Sequence, residues 1–241
     1  MRKIEKASEL LWLLGIVFVA LGVAICSKAD LGVSMIAAPA FVVCEAAQVL
    51  WSDLSVGVTE YIIQGLMLAA LCLVLRRFDW RYLLAFAVAV LYGYVLNLCL
   101  WLLRGLSFDA VWLRWVMLLV GDAVTAFGVA CFFRTYMPLQ VYELFVAELS
   151  RCFKLDINKT KWAFDMSLLA ISILLAFSLF GDAGSFDWST LYCRSFHSIG
   201  LGTLVTTAIN SPLIKLMGQL ADRLFGSAPR FPGLKAVLER K

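Results

Sequence analysis

The chain has 241 residues, of which 62% are hydrophobic and 16% charged, and its formal net charge is +4. Soluble domains are about 45–50% apolar, so this composition excludes an ordinary soluble protein and indicates an integral membrane protein. The basic residues form no single block or stripe, so the positive charge does not indicate nucleic-acid binding. The seven cysteines are scattered without metal-ligand spacing, and we interpret them as small apolar residues.

Six apolar segments are long enough to cross a bilayer, which takes about 20 helical residues. In chain order they are 10–27, 61–75, 82–103, 115–133, 162–181 and 195–214. Two further apolar segments contain residues that a spanning helix avoids. Segment 32–51 is interrupted by Pro39 and Glu45, and segment 137–153 carries Glu143, Glu148 and Arg151.

The distribution of basic residues favours six spans with both termini in the cytoplasm. In that topology, the 21 Lys and Arg residues all lie on the cytoplasmic side except Lys28, Arg104, Arg114 and Arg194, as the positive-inside rule requires. The two interrupted segments are then expected to be re-entrant or interfacial helices. An eight-span arrangement, in which both of them cross, is the alternative.

The first and fourth spans resemble each other in sequence. Residues 14–24 (LGIVFVALGVA) and 120–130 (VGDAVTAFGVA) are identical at five of eleven positions at a constant offset of 106 residues. After a small indel, Gln64 aligns with Asp165. The sequence therefore predicts an all-α membrane protein built from two repeats, 8–105 and 112–218, within a single domain 1–241. Residues 219–241 are expected to form a cytoplasmic tail with a short amphipathic helix.

Each predicted repeat contains three spans and one short helix after its first span. Because three is odd, the two repeats are expected to have opposite orientations in the membrane. Inverted repeats of this kind recur in transporters, where the binding site lies at the repeat interface near the bilayer midplane. They also occur in channels, so the architecture alone does not name a function.

In each predicted repeat, a short connecting segment follows the first span; we call these two segments the seams. Each contains a cation (Lys28 or Arg134), then a helix breaker (Gly32 or Pro138), then a short apolar helix, for which Ser34 is the expected N-cap of the first. A helix N-terminus beside a cation favours anions. The alternative is that both cations are interfacial anchors. The candidate binding residues are Lys28, Asp30, Gly32, Ser34, Arg134, Pro138, Gln140 and Glu143.

Asp122 is the clearest polar residue inside a predicted span. Ionisable residues in such positions usually face the protein interior, because charge at the bilayer centre is costly. Asp122 and Glu45 are therefore candidates for proton or cation coupling, with a structural acid as the alternative. Lys161 and Asp165 are spaced to pair along one helix face. The single histidine, His197, and the dispersed thiols predict no metal site.

The segment Lys28-Ala29-Asp30-Leu31-Gly32-Val33-Ser34 resembles the YczE/YyaS/YitT group of bacterial integral membrane proteins. Met137-Pro138, the Lys161-x-x-x-Asp165 pair and Gly202-Thr203 contribute to the same resemblance. It covers roughly residues 8–220. This chain has Met35 where such proteins often have proline. The resemblance implies a bacterial cytoplasmic membrane location and no particular substrate.

The resulting hypothesis is a multi-pass transporter or permease for a small polar solute, with a small anionic metabolite as one option. The first alternative is a substrate-binding membrane subunit that needs an energising partner, and the second is a membrane scaffold or assembly factor. The chain contains no catalytic or ATP-binding motif of a familiar kind, so an enzyme is not expected. We expect no cofactor, and the partners are the lipid bilayer and either further copies of the chain or an energising subunit.

Overall fold

A computed structural model describes residues 8–180, 192, 195 and 197–225. The regular elements in this part of the chain are all helices. They are α1 (Ser8–Ala29), α2 (Ala38–Gln48), α3 (Val56–Leu75), α4 (Arg81–Leu102), α5 (Val111–Phe132), α6 (Val141–Phe153), α7 (Ile157–Phe180) and α8 (Leu201–Leu224). The protein is therefore of the all-α class.

Five of these helices, α1, α3, α4, α5 and α7, are long and apolar enough to cross a membrane. Together they mark a multi-pass membrane protein. The predicted sixth span corresponds to α8, which has 24 residues and a length of about 36 Å at about 1.5 Å per residue. It is not among the five apolar helices, because residues such as Asn210, Lys215 and Gln219 interrupt its hydrophobic sequence.

Helix boundaries near the second seam differ from those expected. Helix α7 begins at Ile157 rather than at 162, because Asp156 accepts backbone hydrogen bonds from Asn158 and Lys159 at 3.0 Å and so caps the helix. Helix α8 begins at Leu201 rather than at 195 and continues to Leu224. The prediction of a separate amphipathic helix after residue 218 is therefore wrong for residues up to 224, which belong to α8. Residues 226–241 lie outside the described part of the chain.

The two short helices have 11 and 13 residues, so they extend only about 16–20 Å and are too short to cross a bilayer core of about 30 Å. The first residue of each short helix, Ala38 in α2 and Val141 in α6, is buried. At the other end, Leu50 just after α2 and Phe153 at the end of α6 are exposed. Each short helix thus points its N-terminus toward the centre of the molecule.

Helices α1 and α5 pack closely against each other through glycine. A Cβ placed on Gly22 would lie 2.5 Å from the carbonyl oxygen of Gly121, and one on Gly128 would lie 2.9 Å from that of Gly15. Because Gly15 faces Gly128 while Gly22 faces Gly121, the two helices run antiparallel. Small residues at these positions allow the backbones to approach.

The remaining helices contact one another in matching pairs. Helix α4 packs on α1, and α8 packs on α5. Helix α2 contacts both α3 and α7, and α6 contacts the same two helices. Each short helix therefore lies between a long helix of its own half of the sequence and a long helix of the other half.

Polar contacts between distant helices are found at two ends of the molecule. At one end, Arg114 Nη1 lies 3.1 Å from an Asp30 oxygen, and His197 Nδ1 lies 2.7 Å from Glu45. At the other end, Arg77 pairs with Glu148 at 2.5 Å, Arg134 pairs with Asp222 at 2.6 Å, and Tyr136 bonds to Glu9. The long apolar helices extend between these two ends.

Candidate functional site

A small cavity lies where α1 and α5 meet the N-terminal ends of the two short helices. Its volume is about 10 Å³, which is room for about one water molecule. Its lining consists of Val19, Val23, Ser34, Ile36, Ala37, Tyr92, Thr125, Val129, Gln140, Tyr142 and Glu143. We call this the central cavity.

The lining of the central cavity follows the sequence repeat. At the offset of 106 residues, Val19 corresponds to Thr125, Val23 to Val129, Ser34 to Gln140, Ile36 to Tyr142 and Ala37 to Glu143. All five pairs are complete in the lining, and only Tyr92 enters without a counterpart. The cavity thus lies between residues of the two halves that correspond at this sequence offset.

Both short helices begin beside the central cavity. Helix α6 has Gln140 at its N-cap position, and α2 has Ala37 there with Pro39 in its first turn. Ser34, the expected N-cap of α2, instead accepts backbone hydrogen bonds from Ala37 and Ala38 at 2.9 Å through its carbonyl oxygen. The expected capping role of the Ser34 hydroxyl is therefore wrong, because a turn precedes the helix.

The polar lining of the cavity is deeply buried. At most 2% of the surface is exposed to solvent in each of Ser34, Gln140, Tyr142 and Glu143. The Tyr142 hydroxyl and the Oε2 atom of Glu143 have no hydrogen-bond partner among the described residues. Buried polar groups in proteins are nearly always paired, so Glu143 Oε2 indicates a place for a ligand or water, whereas the Tyr142 hydroxyl lies beside the Glu60 carboxyl.

A second pair of polar side chains adjoins Tyr142 from α3. Glu60 is completely buried beside Tyr142 and Gln64 and within electrostatic range of Glu143. Neither carboxyl oxygen of Glu60 reaches hydrogen-bonding geometry with a described residue. The orphaned groups of Glu60, Tyr142 and Glu143 therefore form one connected polar cluster.

The equivalent turn of α7 carries a buried ion pair. Lys161 Nζ lies 2.6 Å from an Asp165 carboxyl oxygen, and the two side chains are only 6% and 1% exposed. Asn210 of α8 donates a second hydrogen bond to Asp165 at 3.4 Å. Asp122 of α5 is within electrostatic range of Asp165, and neither of its oxygens has a hydrogen-bond partner among the described residues.

Acids outnumber bases in this buried region. Among the described residues, the buried charged side chains are Glu60, Asp122, Glu143, Asp165 and Lys161. If every group were ionised, three negative charges would remain without a buried counter-charge. Because removing a charge from water is costly unless it is paired, the interior is suited to accept positive charge.

Three of the residues predicted from the sequence line the central cavity, namely Ser34, Gln140 and Glu143. Asp122 lies close by, in the Asp165 cluster. Groups of three or more His, Cys, Asp or Glu side chains able to hold a metal ion do not occur in the described residues.

Five other predicted residues lie elsewhere. Lys28 is half-buried at the end of α1, Asp30 accepts a hydrogen bond from Ser195 at 2.9 Å, and Arg134 binds Asp222 and the carbonyl oxygen of Ala130. The Pro138 carbonyl accepts a hydrogen bond from the Trp12 indole at 2.9 Å, and Gly32 has a φ of 110°.

Gly32 has a structural role at the first seam. Its positive φ is favourable only for glycine, and an added Cβ would lie 2.6 Å from the backbone nitrogen of Gly200. Leu31 accepts a hydrogen bond from the Gly202 backbone at 2.9 Å. The seam is thereby joined to the start of α8.

Sequence reasoning missed Glu60, Tyr92, Thr125 and Tyr142. Glu60 precedes the expected start of its span at residue 61 and was not placed inside the membrane. The available signal was the repeat itself, since Glu60 and Gln64 align with Lys161 and Asp165 at an offset of 101 residues.

A more open cavity of about 420 Å³ approaches the Lys161–Asp165 pair from the surface. Phe133, Arg134, Ile157, Asn158, Lys161, Ser211, Ile214, Lys215 and Gln219 line it. Lys161 therefore borders both this cavity and the buried acidic region. We call this space the basic vestibule.

A protein-family model described as a family of unknown function, DUF6198, matches residues 6–219. The chain belongs to this family. The match covers both halves of the chain and both seams. No curated protein and no solved structure matches the chain.

Proposed function

We propose that this DUF6198 member is a transporter of a small polar solute in the bacterial cytoplasmic membrane. In this proposal, α8 is the sixth span, both termini are cytoplasmic, and residues 8–105 and 112–218 are inverted repeats. The family's relation to the YczE/YyaS/YitT group is part of the same proposal, carried by the seam sequence.

The observation that carries the proposal is the pairing of repeat-equivalent residues around the central cavity. Transporters with inverted repeats place their substrate sites at the repeat interface, where broken helices present their ends. Here α1 and α5 cross antiparallel, and both short helices begin at the cavity. This arrangement supports alternating access, in which one central site opens first to one membrane face and then to the other.

Access to the site would come from two symmetric motions. The central cavity holds only about one water molecule in the described state, so that state corresponds to an occluded conformation. The basic vestibule offers an approach from the cytoplasmic end through Lys161. Opening at the other end would move α2 against α7, as opening at this end would move α6 against α3.

Solute uptake into proteoliposomes tests the proposal. Vesicles containing the purified chain are compared with empty vesicles for uptake of radiolabelled methylammonium, urea and formate, which represent cationic, neutral and anionic solutes. We expect saturable uptake of one class, and we expect Glu143→Gln to lower it at least tenfold.

Asp53→Asn is the matched control, since Asp53 is an exposed acid in the segment that follows the other short helix. It should leave uptake within about twofold of the native chain, the scale of many surface changes. Uptake equal to that of empty vesicles for all three classes would contradict autonomous transport. Uptake that returned only with an added energising subunit would support the partner-dependent alternative instead.

A further inference from the structure

The charge balance around the central cavity limits the class of ligand it can hold. The four buried carboxyl groups of Glu60, Asp122, Glu143 and Asp165 face one buried cation, Lys161. The N-termini of α2 and α6 each add about half a positive charge, which offsets about one of the remaining negative charges. With all four carboxyl groups ionised, about two negative charges would be left, and a bound cation would neutralise them whereas an anion would add to them.

The atoms facing the cavity match the hydrogen-bonding pattern of an ammonium group. Glu143 Oε2 is an unpaired acceptor, and Ser34 and Gln140 add hydroxyl and carbonyl oxygens to the same lining. Tyr92 and Tyr142 contribute aromatic rings, whose faces attract organic cations. The described lining contains no Lys or Arg side chain that would oppose such a ligand.

The size of the cavity and its ligand atoms favour an ammonium ion over a bound metal. The available volume of about 10 Å³ accommodates one group the size of a water molecule, and an ammonium ion is of that size. A calcium site takes six to eight oxygen ligands, and no cluster of three candidate metal ligands occurs in the described residues.

We propose that the central cavity binds an ammonium-type cation, either ammonium itself or the charged end of a small primary amine. Glu143 provides the counter-charge, and Ser34 and Gln140 accept hydrogen bonds from the ligand. The proposal names the substrate class of the proposed transporter and rests on that function for its physiological meaning. Binding itself can be measured without any flux.

The test is thermal unfolding of the detergent-purified chain at fixed pH and ionic strength. Ammonium, methylammonium or guanidinium chloride is added in increasing amounts in place of sodium chloride, which serves as the reference salt. Sodium formate and sodium nitrate test whether anions bind instead. We expect a saturable rise in the Tm with ammonium and methylammonium. A rise with formate or nitrate in place of ammonium, or an equal response to sodium, would overturn the proposal.

Variants separate binding from folding. Glu143→Gln should raise the Kd for methylammonium at least tenfold while its ligand-free Tm stays measurable, and Asp53→Asn, at an exposed position, should leave the Kd unchanged. If Glu143→Gln does not fold, Ser34→Ala removes a single acceptor and should raise the Kd several-fold. A Kd unaffected by both Glu143→Gln and Ser34→Ala would show that the cation binds elsewhere.

The binding and uptake results can fail independently. Ammonium binding without uptake of any solute would uphold the ligand class and contradict the transport proposal. Uptake of urea or formate by a chain that does not bind ammonium would uphold transport and contradict the ligand class.

Discussion

At the scale of single residues, the Lys161–Asp165 pair shows how the two halves diverged. Its repeat counterparts are Glu60 and Gln64, which occupy the same buried turn of α3 without an ion pair. In the second half the Asp165 carboxylate is paired with Lys161, whereas in the first half the Glu60 carboxyl has no ion-pair partner among the described residues. This difference contributes to the excess of acids in the interior, although the helix contacts of the two halves match.

Removing one partner of this pair should be far more damaging than removing both. Lys161→Met leaves Asp165 buried beside Asp122 and should cost about 3–5 kcal/mol of unfolding free energy, whereas Lys161→Met with Asp165→Leu should recover part of the loss. Unfolding in mixed detergent micelles measures the change. Lys159→Met, at an exposed position two residues away, is the control, and equal losses from the single and double variants would contradict the argument.

Arg134 provides a second prediction at this scale. Its guanidinium binds Asp222, whose side chain is 53% exposed, and surface ion pairs contribute only about 0–1 kcal/mol. Arg134→Gln should therefore change the unfolding free energy by about 1 kcal/mol or less and leave methylammonium affinity unchanged. Binding of formate or nitrate to the native chain that is lost in this variant would restore the anion-binding interpretation of the seam cations.

The sequence was sufficient to predict part of the site. The repeat and the polar interruptions led to Ser34, Gln140, Glu143 and Asp122, all of which lie in or near the central cavity. It could not show that Asp30 pairs with Arg114, 84 residues away, or that Tyr142 faces Glu60. Such contacts depend on helix packing, which a single sequence does not specify.

At the scale of helices, the glycine contacts set the distance between α1 and α5. A Cβ on Gly22 would lie 2.5 Å from the Gly121 carbonyl oxygen and 2.6 Å from the Thr125 backbone nitrogen. Since these are backbone atoms, the helices themselves would have to separate. The glycines thus hold together the two helices that carry the apolar half of the cavity lining.

Gly22→Ala should accordingly destabilise the protein by about 1–3 kcal/mol, the usual cost of overpacking. Gly65→Ala is the control, because its nearest contact is the Phe86 ring at 3.1 Å and alanine favours the helix by up to about 1 kcal/mol. Thermal unfolding in detergent compares the two. A neutral Gly22→Ala would contradict the close packing of α1 and α5.

Helix ends were predicted less well than helix cores. The apolar stretches located α1, α3, α4, α5 and α7 to within a few residues, because hydrophobicity alone defines their centres. The starts of α7 and α8 depend on local capping by Asp156 and on the hydrogen bond between Gly202 and Leu31. Neither signal appears in a hydropathy pattern.

At the scale of the whole molecule, the proposed six-span topology rests on the distribution of basic residues and can be tested directly. In a chain whose native cysteines are replaced, Phe78→Cys between α3 and α4 should react with an impermeant thiol reagent only from the cytoplasm. Ser107→Cys, between α4 and α5, should react only from outside. The reverse result for Phe78→Cys would overturn the six-span arrangement.

The matched helix contacts and the composition of the cavity lining parallel the repeat in the sequence. Glycine spacing and the two seams indicated that repeat, because both recur at the same offset. The repeat did not indicate the ligand. That depends on the positions at which the halves differ, such as Ala37 against Glu143 and Gln64 against Asp165.

If the protein is a transporter as proposed, one site between the two halves is reached alternately from both membrane faces. The decisive measurement is the accessibility of positions 34 and 140, changed in separate chains as Ser34→Cys and Gln140→Cys. We expect an impermeant thiol reagent to reach each cysteine from either face of oriented vesicles and methylammonium to slow both reactions. Labelling from one face only, or none from either, would contradict the transport proposal.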